Sequence, residues 1–234
     1  MTMLTLNKSI QPHYERIGEE KTPIIIIDDY LNDPQILVTL AKQQTNFKTD
    51  DHTQYPGLRT ALPKHCVVDY LKPLMQGFYK VFNIENSLVP HPKDNTFSLI
   101  TTPAKKLSAI QTLPHFDTNS PNLIAIIHYL GEGMHGGTGF FRHKKTGFET
   151  ISTARRHAYL NHVEDFLNKN PNKRTYCSAK HSEFECYKQI PYKKNRLIVF
   201  PGYLLHSSIV NTNTDISILP QTGRLTANMF VQFK

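Results

Sequence analysis

The apolar residues of the first ninety positions form one short continuous run and two stripes at helical spacing. Those of the remainder fall into short runs broken by turn residues. Pro23-Ile24-Ile25-Ile26-Ile27-Asp28-Asp29 is rich in β-branched residues and predicts a buried strand. Asn32-Asp33-Pro34 offers a cap and a leading proline for a helix running to about Gln43. Tyr55-Pro56-Gly57 reads as a turn. From Pro63 to about Phe82, residues Val67, Tyr70, Leu71, Leu74, Phe78 and Phe82 share one stripe, which predicts a helix. Beyond Pro92 the texture changes. Strands are predicted at Thr96–Thr101, Leu107–Thr112, Leu123–Leu130, Gly139–Arg142, Arg196–Phe200, Leu205–Val210 and Leu225–Phe233. One helix interrupts them, from about Thr153 to Asn168. Asn168–Lys194 reads as a polar insertion carrying a single strand around Phe184–Ile190. The order implies an α+β protein, with a helical part over about 1–92 and a β-sandwich or jelly roll over about 93–234.

Composition narrows the class. The 234 residues show no repeat, low-complexity tract or long linker, so a single domain is expected. No run of about 18 apolar residues occurs, which argues against a membrane span, and the first twenty positions lack the apolar segment of a secretory signal. Three cysteines, Cys66, Cys177 and Cys186, make no disulfide framework, so reduced thiols and a cytoplasmic setting are expected. The formal charge is +8, but the basic residues are scattered. The densest groups, Lys144-Lys145, Arg155-Arg156 and Lys193-Lys194, do not form a basic arm, and aromatic and basic residues do not interleave on one predicted strand face. A solvated surface accounts for them better than a nucleic-acid partner does. Oligomeric state is not legible in the sequence.

The candidate chemistry lies in three places. In extended chain, side chains two apart share a face. His115 and Asp117 can therefore point together into the mouth of a jelly roll, with Phe116 turned away. His206 follows the Pro201-Gly202 turn on a later strand. Two imidazoles and one carboxylate leave coordination positions open, which an iron(II) oxygenase needs so that co-substrate and oxygen can both reach the metal. Arg224 and Thr226 open the final strand with the same spacing of two. A guanidinium beside a hydroxyl makes a fork for a carboxylate. His128 and Tyr129 are adjacent, so only one can face the pocket, and Tyr129 is the better hydrogen-bond donor to a co-substrate.

At this point the chain resembles the 2-oxoglutarate/iron(II)-dependent oxygenases, and within them an uncharacterised bacterial family of the DUF6445 type, related to prolyl-hydroxylase-like enzymes. The stretches that carry the resemblance include Tyr55-Pro56-Gly57-Leu58-Arg59, Pro114-His115-Phe116-Asp117, His128-Tyr129-Leu130 and Gly136-Gly137-Thr138-Gly139-Phe140-Phe141. Asn195 to Phe200, His206-Ser207 and Gly223-Arg224-Leu225-Thr226 complete them. The resemblance implies a double-stranded β-helix with N-terminal helices packed on it. It implies iron(II) held by His115, Asp117 and His206, with 2-oxoglutarate as co-substrate anchored by Arg224 and Thr226. The implied reaction converts the keto acid to succinate while a substrate C–H bond is oxidised, and the substrate is a small molecule or a peptide or protein side chain. Arg224 stands eighteen positions after His206, farther than in many relatives, so the loop Asn211–Gln221 must fill the gap.

Other readings stay open. A cupin-like metal protein on the same scaffold would keep the metal ligands and use no keto acid. Gly136-Gly137-Thr138-Gly139 lacks the lysine and helix of a phosphate loop, and reads better as a place where two backbones meet. Cys177, His181 and Cys186 could hold zinc, although no C-x-x-C pair is present. His135 and His143 read as loop residues. Arg59 either reaches the substrate or lies on the surface. The N-terminal helices and the insertion are expected to shape substrate entry.

Overall fold

The computed structural model describes residues 4–50 and 54–234. Among these residues the chain is mostly sheet, with four α-helices. Every strand pairing is antiparallel, and the strands form two open sheets. The larger sheet has the order β1-β2-β9-β6-β11-β5-β4-β3 and the smaller has β10-β7-β8. In the larger sheet, β1 is His13–Ile17, β2 Thr22–Ile27, β3 Lys48–Thr49, β4 Gly57–Ala61, β5 Pro90–Ile100, β6 Leu123–Tyr129, β9 Leu197–Pro201 and β11 Leu225–Phe233. In the smaller, β7 is Thr138–His143, β8 Phe184–Ile190 and β10 His206–Ser208. The helices are α1 Gln35–Gln43, α2 Lys64–Leu71, α3 Met75–Val81 and α4 Thr153–Lys169.

Alternation along the strands stacks these elements in four layers. In β11, Leu225, Ala227, Met229, Val231 and Phe233 pack with Leu37, Val67, Tyr70 and Phe78 of the N-terminal helices. The other face of the large sheet, through Ala125, Tyr129, Ile198 and Phe200, meets Phe140 and Ile190 of the small sheet. The outer face of the small sheet, through Phe141 and Phe184, is covered by Tyr159 and Val163 of α4. Burial of these apolar faces is the main source of cohesion, at about 25 cal/mol per Å².

Several elements follow the sequence pattern closely. Asp33 Oδ1 accepts from the Gln35 amide at 2.9 Å, so the expected cap opens α1. The strand of the insertion is Phe184–Ile190, and it pairs with β7 across its whole length.

Four expectations are corrected. The single helix over 63–82 is broken by a 3₁₀ turn at Lys72–Leu74, because Pro73 has no amide hydrogen to continue the ladder. Leu107–Thr112 is not a strand. Two 3₁₀ turns, Ala104–Lys106 and Ile110–Thr112, take its place, since Thr112 Oγ1 donates to the Ala109 carbonyl at 2.6 Å and Gln111 Oε1 accepts from the Ser108 amide at 2.8 Å. Such local side-chain bonds compete with strand pairing. The N-terminal third is not purely helical, because β1, β2, β3 and β4 all join the large sheet. The N-terminal helices pack on the outer face of that sheet, with the opposite face turned to the small sheet, so they do not line the space where the candidate site lies.

No helix among the described residues is long and apolar enough to cross a membrane.

Candidate metal centre

The three predicted ligands come together. His115 bridges to His206 through reciprocal backbone bonds, His115 N to His206 O at 2.9 Å and His206 N to His115 O at 2.8 Å. Two residues on, the Asp117 amide donates to the Gly202 carbonyl at 2.7 Å. The Pro201-Gly202 turn therefore sets the position of the carboxylate, and the end of β10 sets both imidazoles. His115 Nε2 lies 3.8 Å from Asp117 Oδ1, and His206 Nε2 lies 3.7 Å from Asp117 Oδ2. These gaps are too long for hydrogen bonds. One candidate ligand atom from each residue lies within 4.8 Å of the others, the one such group of His, Cys, Asp or Glu found among the described residues. An ion with bonds of about 2.0–2.2 Å spans such gaps after small side-chain adjustments.

The electrostatics fit a metal. His206 Nδ1–H donates to the Leu204 carbonyl at 2.8 Å, which leaves the Nε2 lone pair facing Asp117. The His115 side chain is 57% accessible, yet the protein around it strips part of its hydration. Desolvation, then the charges of His206 and Arg59, hold its imidazole well below the ordinary histidine range, and so neutral and ready to bind. Desolvation likewise raises Asp117, with His206 and Arg59 acting in the opposite direction.

The second half of the site lies across the space between the sheets. Arg224, Thr226 and Asn228 share the inner face of β11. Direct pairing aligns Arg59, Ser98, Thr226 and Tyr129 in one row across β4, β5, β11 and β6. Arg224 is 2% exposed and touches no carboxylate directly among the described residues, although the charge of buried Asp215 lies close enough to act on it. Its Nε donates to the Gly136 carbonyl at 2.6 Å and its Nη2 to the Gly137 carbonyl at 3.2 Å, while the guanidinium lies over the rings of Tyr129 and Tyr192. Thr226 Oγ1 is buried and has no hydrogen-bond partner among the described residues. The hydroxyl left without a partner, beside a buried guanidinium, is costly unless a ligand completes it. This arrangement suits a carboxylate. Gly137 lies three positions before Phe140, which pairs directly with His206. Strand rise puts the anchor about 10 Å from the metal ligands, within the reach of a metal-chelating five-carbon diacid.

The structure decides the adjacent pair. Tyr129 faces the inter-sheet space, where its hydroxyl meets Thr138 Oγ1 at 2.7 Å. His128 faces the helices. It donates from Nε2 to Asn195 Oδ1 at 3.0 Å and accepts at Nδ1 from the Tyr70 hydroxyl, a structural role. Arg59 is not a surface residue: its side chain is 15% accessible, pairs with Asp50 at 3.2 Å and stacks 4.2 Å over Tyr55. Its charge acts on both His115 and Asp117, so it stands near the metal ligands.

The glycine stretch is where backbones meet. A Cβ on Gly136 would lie 1.5 Å from the Ile209 carbonyl oxygen, and one on Gly137 would lie 2.0 Å from that of Ile190. His135 is in a loop, yet its side chain is 2% accessible and sits 2.9 Å from buried Asp215. His143 is corrected from loop to strand, being buried at the end of β7. Cys177, His181 and Cys186 do not converge as a zinc site, and His181 Nε2 lies 3.3 Å from the Lys173 ammonium, a neighbour that disfavours a cation. Asn228 and Asp215 were not singled out by the sequence reading. Asn228 carried a usable signal, as the next polar residue in phase with Arg224 and Thr226.

The sequence matches, over residues 8–231, the model of a family described as a family of unknown function (DUF6445). None of the curated proteins matches significantly. Among solved structures the chain is similar to EctD from S. alaskensis with bound Fe, at 11% identity over 100% of this chain and 83% of that one, with a TM-score of 0.39. It is also similar to an N-substituted L-amino acid dioxygenase from Burkholderia ambifaria AMMD, at 10% identity over 90% of this chain and 81% of that one, with a TM-score of 0.34. These likenesses are distant.

Proposed function

We propose that this chain, which belongs to the DUF6445 family, is an iron(II)- and 2-oxoglutarate-dependent oxygenase that oxidises a small molecule or a peptide or protein side chain in the cytoplasm. The observation that carries this reading is the pairing of two features on one inner face. One is the group His115, Asp117 and His206. The other is the buried Arg224 guanidinium beside the partnerless hydroxyl of Thr226. We read the two open sheets as a double-stranded β-helix, whose mouth holds the metal ligands.

His115, Asp117 and His206 would hold the iron, and the bound metal with its keto acid would supply the oxidising chemistry. The protein's own residues bind and orient. Arg224 and Thr226 would receive the distal carboxylate of 2-oxoglutarate, and the Leu204 carbonyl fixes the tautomer of His206. Tyr129, with its hydroxyl on Thr138, would flank the keto acid, and the apolar walls of Phe140 and Phe200 exclude water. Arg59 would contribute to the substrate side of the mouth.

The test is succinate formation from 2-oxoglutarate with iron(II), ascorbate and oxygen, alongside calorimetric binding of the keto acid with manganese(II). Turnover or binding that is lost in His115→Ala is the expected result. A protein that binds the metal but never 2-oxoglutarate would overturn the reading. That outcome would favour a cupin-like metal protein, a second reading motivated by Arg224 already donating to the Gly136 and Gly137 carbonyls.

A further inference from the structure

Thr226 Oγ1 is not alone on the inner face of β11. Two residues further on, Asn228 Oδ1 is also buried and without a hydrogen-bond partner among the described residues. The rest of the Asn228 side chain is held weakly, by a 3.3 Å contact between Nδ2 and Ser98 Oγ. Beside it the ladder is irregular. Between the pairs Asn228–Thr96 and Phe230–Lys93, β5 carries an extra residue, and Asp94 takes a φ of 44°. Such bulges re-aim neighbouring side chains and recur next to binding sites.

The register locates Asn228 between the two halves of the site. Thr226 pairs with Tyr129 at the anchor end. Phe230 pairs with Ala125, which pairs with Phe200, and the Phe200 ring rests 4.7 Å from that of His206 at the metal end. The row of Asn228, with Ile127 and Ile198, runs between them. Arg224, Thr226 and Asn228 thus form a polar track from anchor toward metal on a face whose neighbouring strands present Ala125, Ile127, Ile198 and Phe200.

A serine hydroxyl can serve either end of an amide. With the amide turned over, Ser98 donates to Oδ1 and the NH₂ group points into the inter-sheet space as a free donor. An anion lying along the track would take that donor.

We propose that Asn228 is a ligand-binding residue whose amide donates to the metal-proximal half of the keto acid that Arg224 and Thr226 hold at its other end. This rests on the oxygenase reading above, and the test separates the two. Binding of 2-oxoglutarate is measured by calorimetry with manganese(II) in wild type, Asn228→Leu, Asn228→Asp and Arg224→Leu, with manganese affinity measured separately.

Asn228→Leu is expected to weaken keto-acid binding roughly 10- to 100-fold, the range for a lost hydrogen bond to a charged group. Asn228→Asp should weaken it further by placing a carboxylate against an anion. Manganese affinity should stay at the wild-type value in both. Keto-acid affinity unchanged in Asn228→Leu, while Arg224→Leu abolishes binding, would overturn the role of Asn228 and leave the oxygenase reading standing. Wild-type affinity in Asn228→Asp would overturn it too, since that variant has no donor to offer. No binding to wild type would remove both. Should the leucine variant not fold, Asn228→Ala replaces it, with the same weakening expected.

Discussion

At the scale of single residues, the candidate metal site follows from spacing, and its surroundings follow from burial. His115 and Asp117 are two apart in extended chain, and the bridge to His206 adds the third ligand. His206→Ala and His115→Ala should each abolish tight binding of iron(II) or manganese(II), as read by calorimetry, with the fold intact by circular dichroism. Arg224→Leu should leave metal binding in place and weaken 2-oxoglutarate binding by at least about 30-fold, the lower end for truncating one partner of a buried charged contact. Its unfolding free energy should fall by about 1–3 kcal/mol, because the Gly136 and Gly137 carbonyls lose their donor.

His128 offers a test of pH dependence. Burial lowers its pKa from an ordinary 6.5 to about 4, outweighing the bonds to Asn195 that act in the other direction. The unfolded chain takes up a proton near 6.5 while the folded one does not. The stability linked to His128 is therefore complete above 6.5, is lost as pH falls from 6.5 to about 4, and declines no further below that. The slope is about 1.4 kcal/mol per pH unit for one proton. Urea unfolding at pH 7 and pH 5 should show the loss, and His128→Gln should reduce the difference. His181, also lowered to about 4, adds a second contribution of the same sign.

At the scale of elements, the apolar rhythm located most strands of the second half, because each buries one or both faces. It failed where local chemistry overrode the rhythm. Ser108, Gln111 and Thr112 satisfy backbone groups themselves and turn an apolar segment into 3₁₀ turns. Apart from β2, the short strands of the first sixty residues carried no distinctive rhythm of their own. β1 and β3 lie at the two edges of the large sheet and are largely exposed, and β4 is only half-buried, so their identity depends on the partners that recruit them. The glycine stretch before β7 is held by contact rather than by turn propensity. Gly136→Ala should cost at least about 2 kcal/mol, as an added methyl meets the Ile209 carbonyl. For a chain of this size that is a fall of roughly 4–8 °C in Tm. It should also weaken keto-acid binding, since the Gly136 carbonyl holds Arg224.

At the scale of the whole molecule, one space between two sheets gathers ligands from distant parts of the chain. A metal that binds only the folded protein stabilises it by mass action, by about 2.7 kcal/mol at one hundred times its Kd. Differential scanning calorimetry with manganese(II) should show a matching rise in Tm, reversed by chelator and missing in His206→Ala. The net charge of +8 belongs to this scale as well. Pairs such as Arg196 with Asp28, Lys188 with Glu15 and Arg155 with Glu20 are each neutral overall, so the excess is carried by the basic residues outside such pairs.

The sequence by itself determined the candidate metal group, the phase of Arg224 with Thr226, and the run of strands that carries them. These are local properties: a spacing of two in extended chain, and an apolar pattern that demands burial. Only the tertiary structure decided that Tyr129 faces inward and His128 outward, because that choice belongs to the layers packed on either side of β6. It also half-buried Arg59, paired Asp215 with His135, and put Asn228 in the row between Thr226 and Phe230. Each depends on which strands lie side by side, and strand order is fixed by long-range packing that no local pattern encodes.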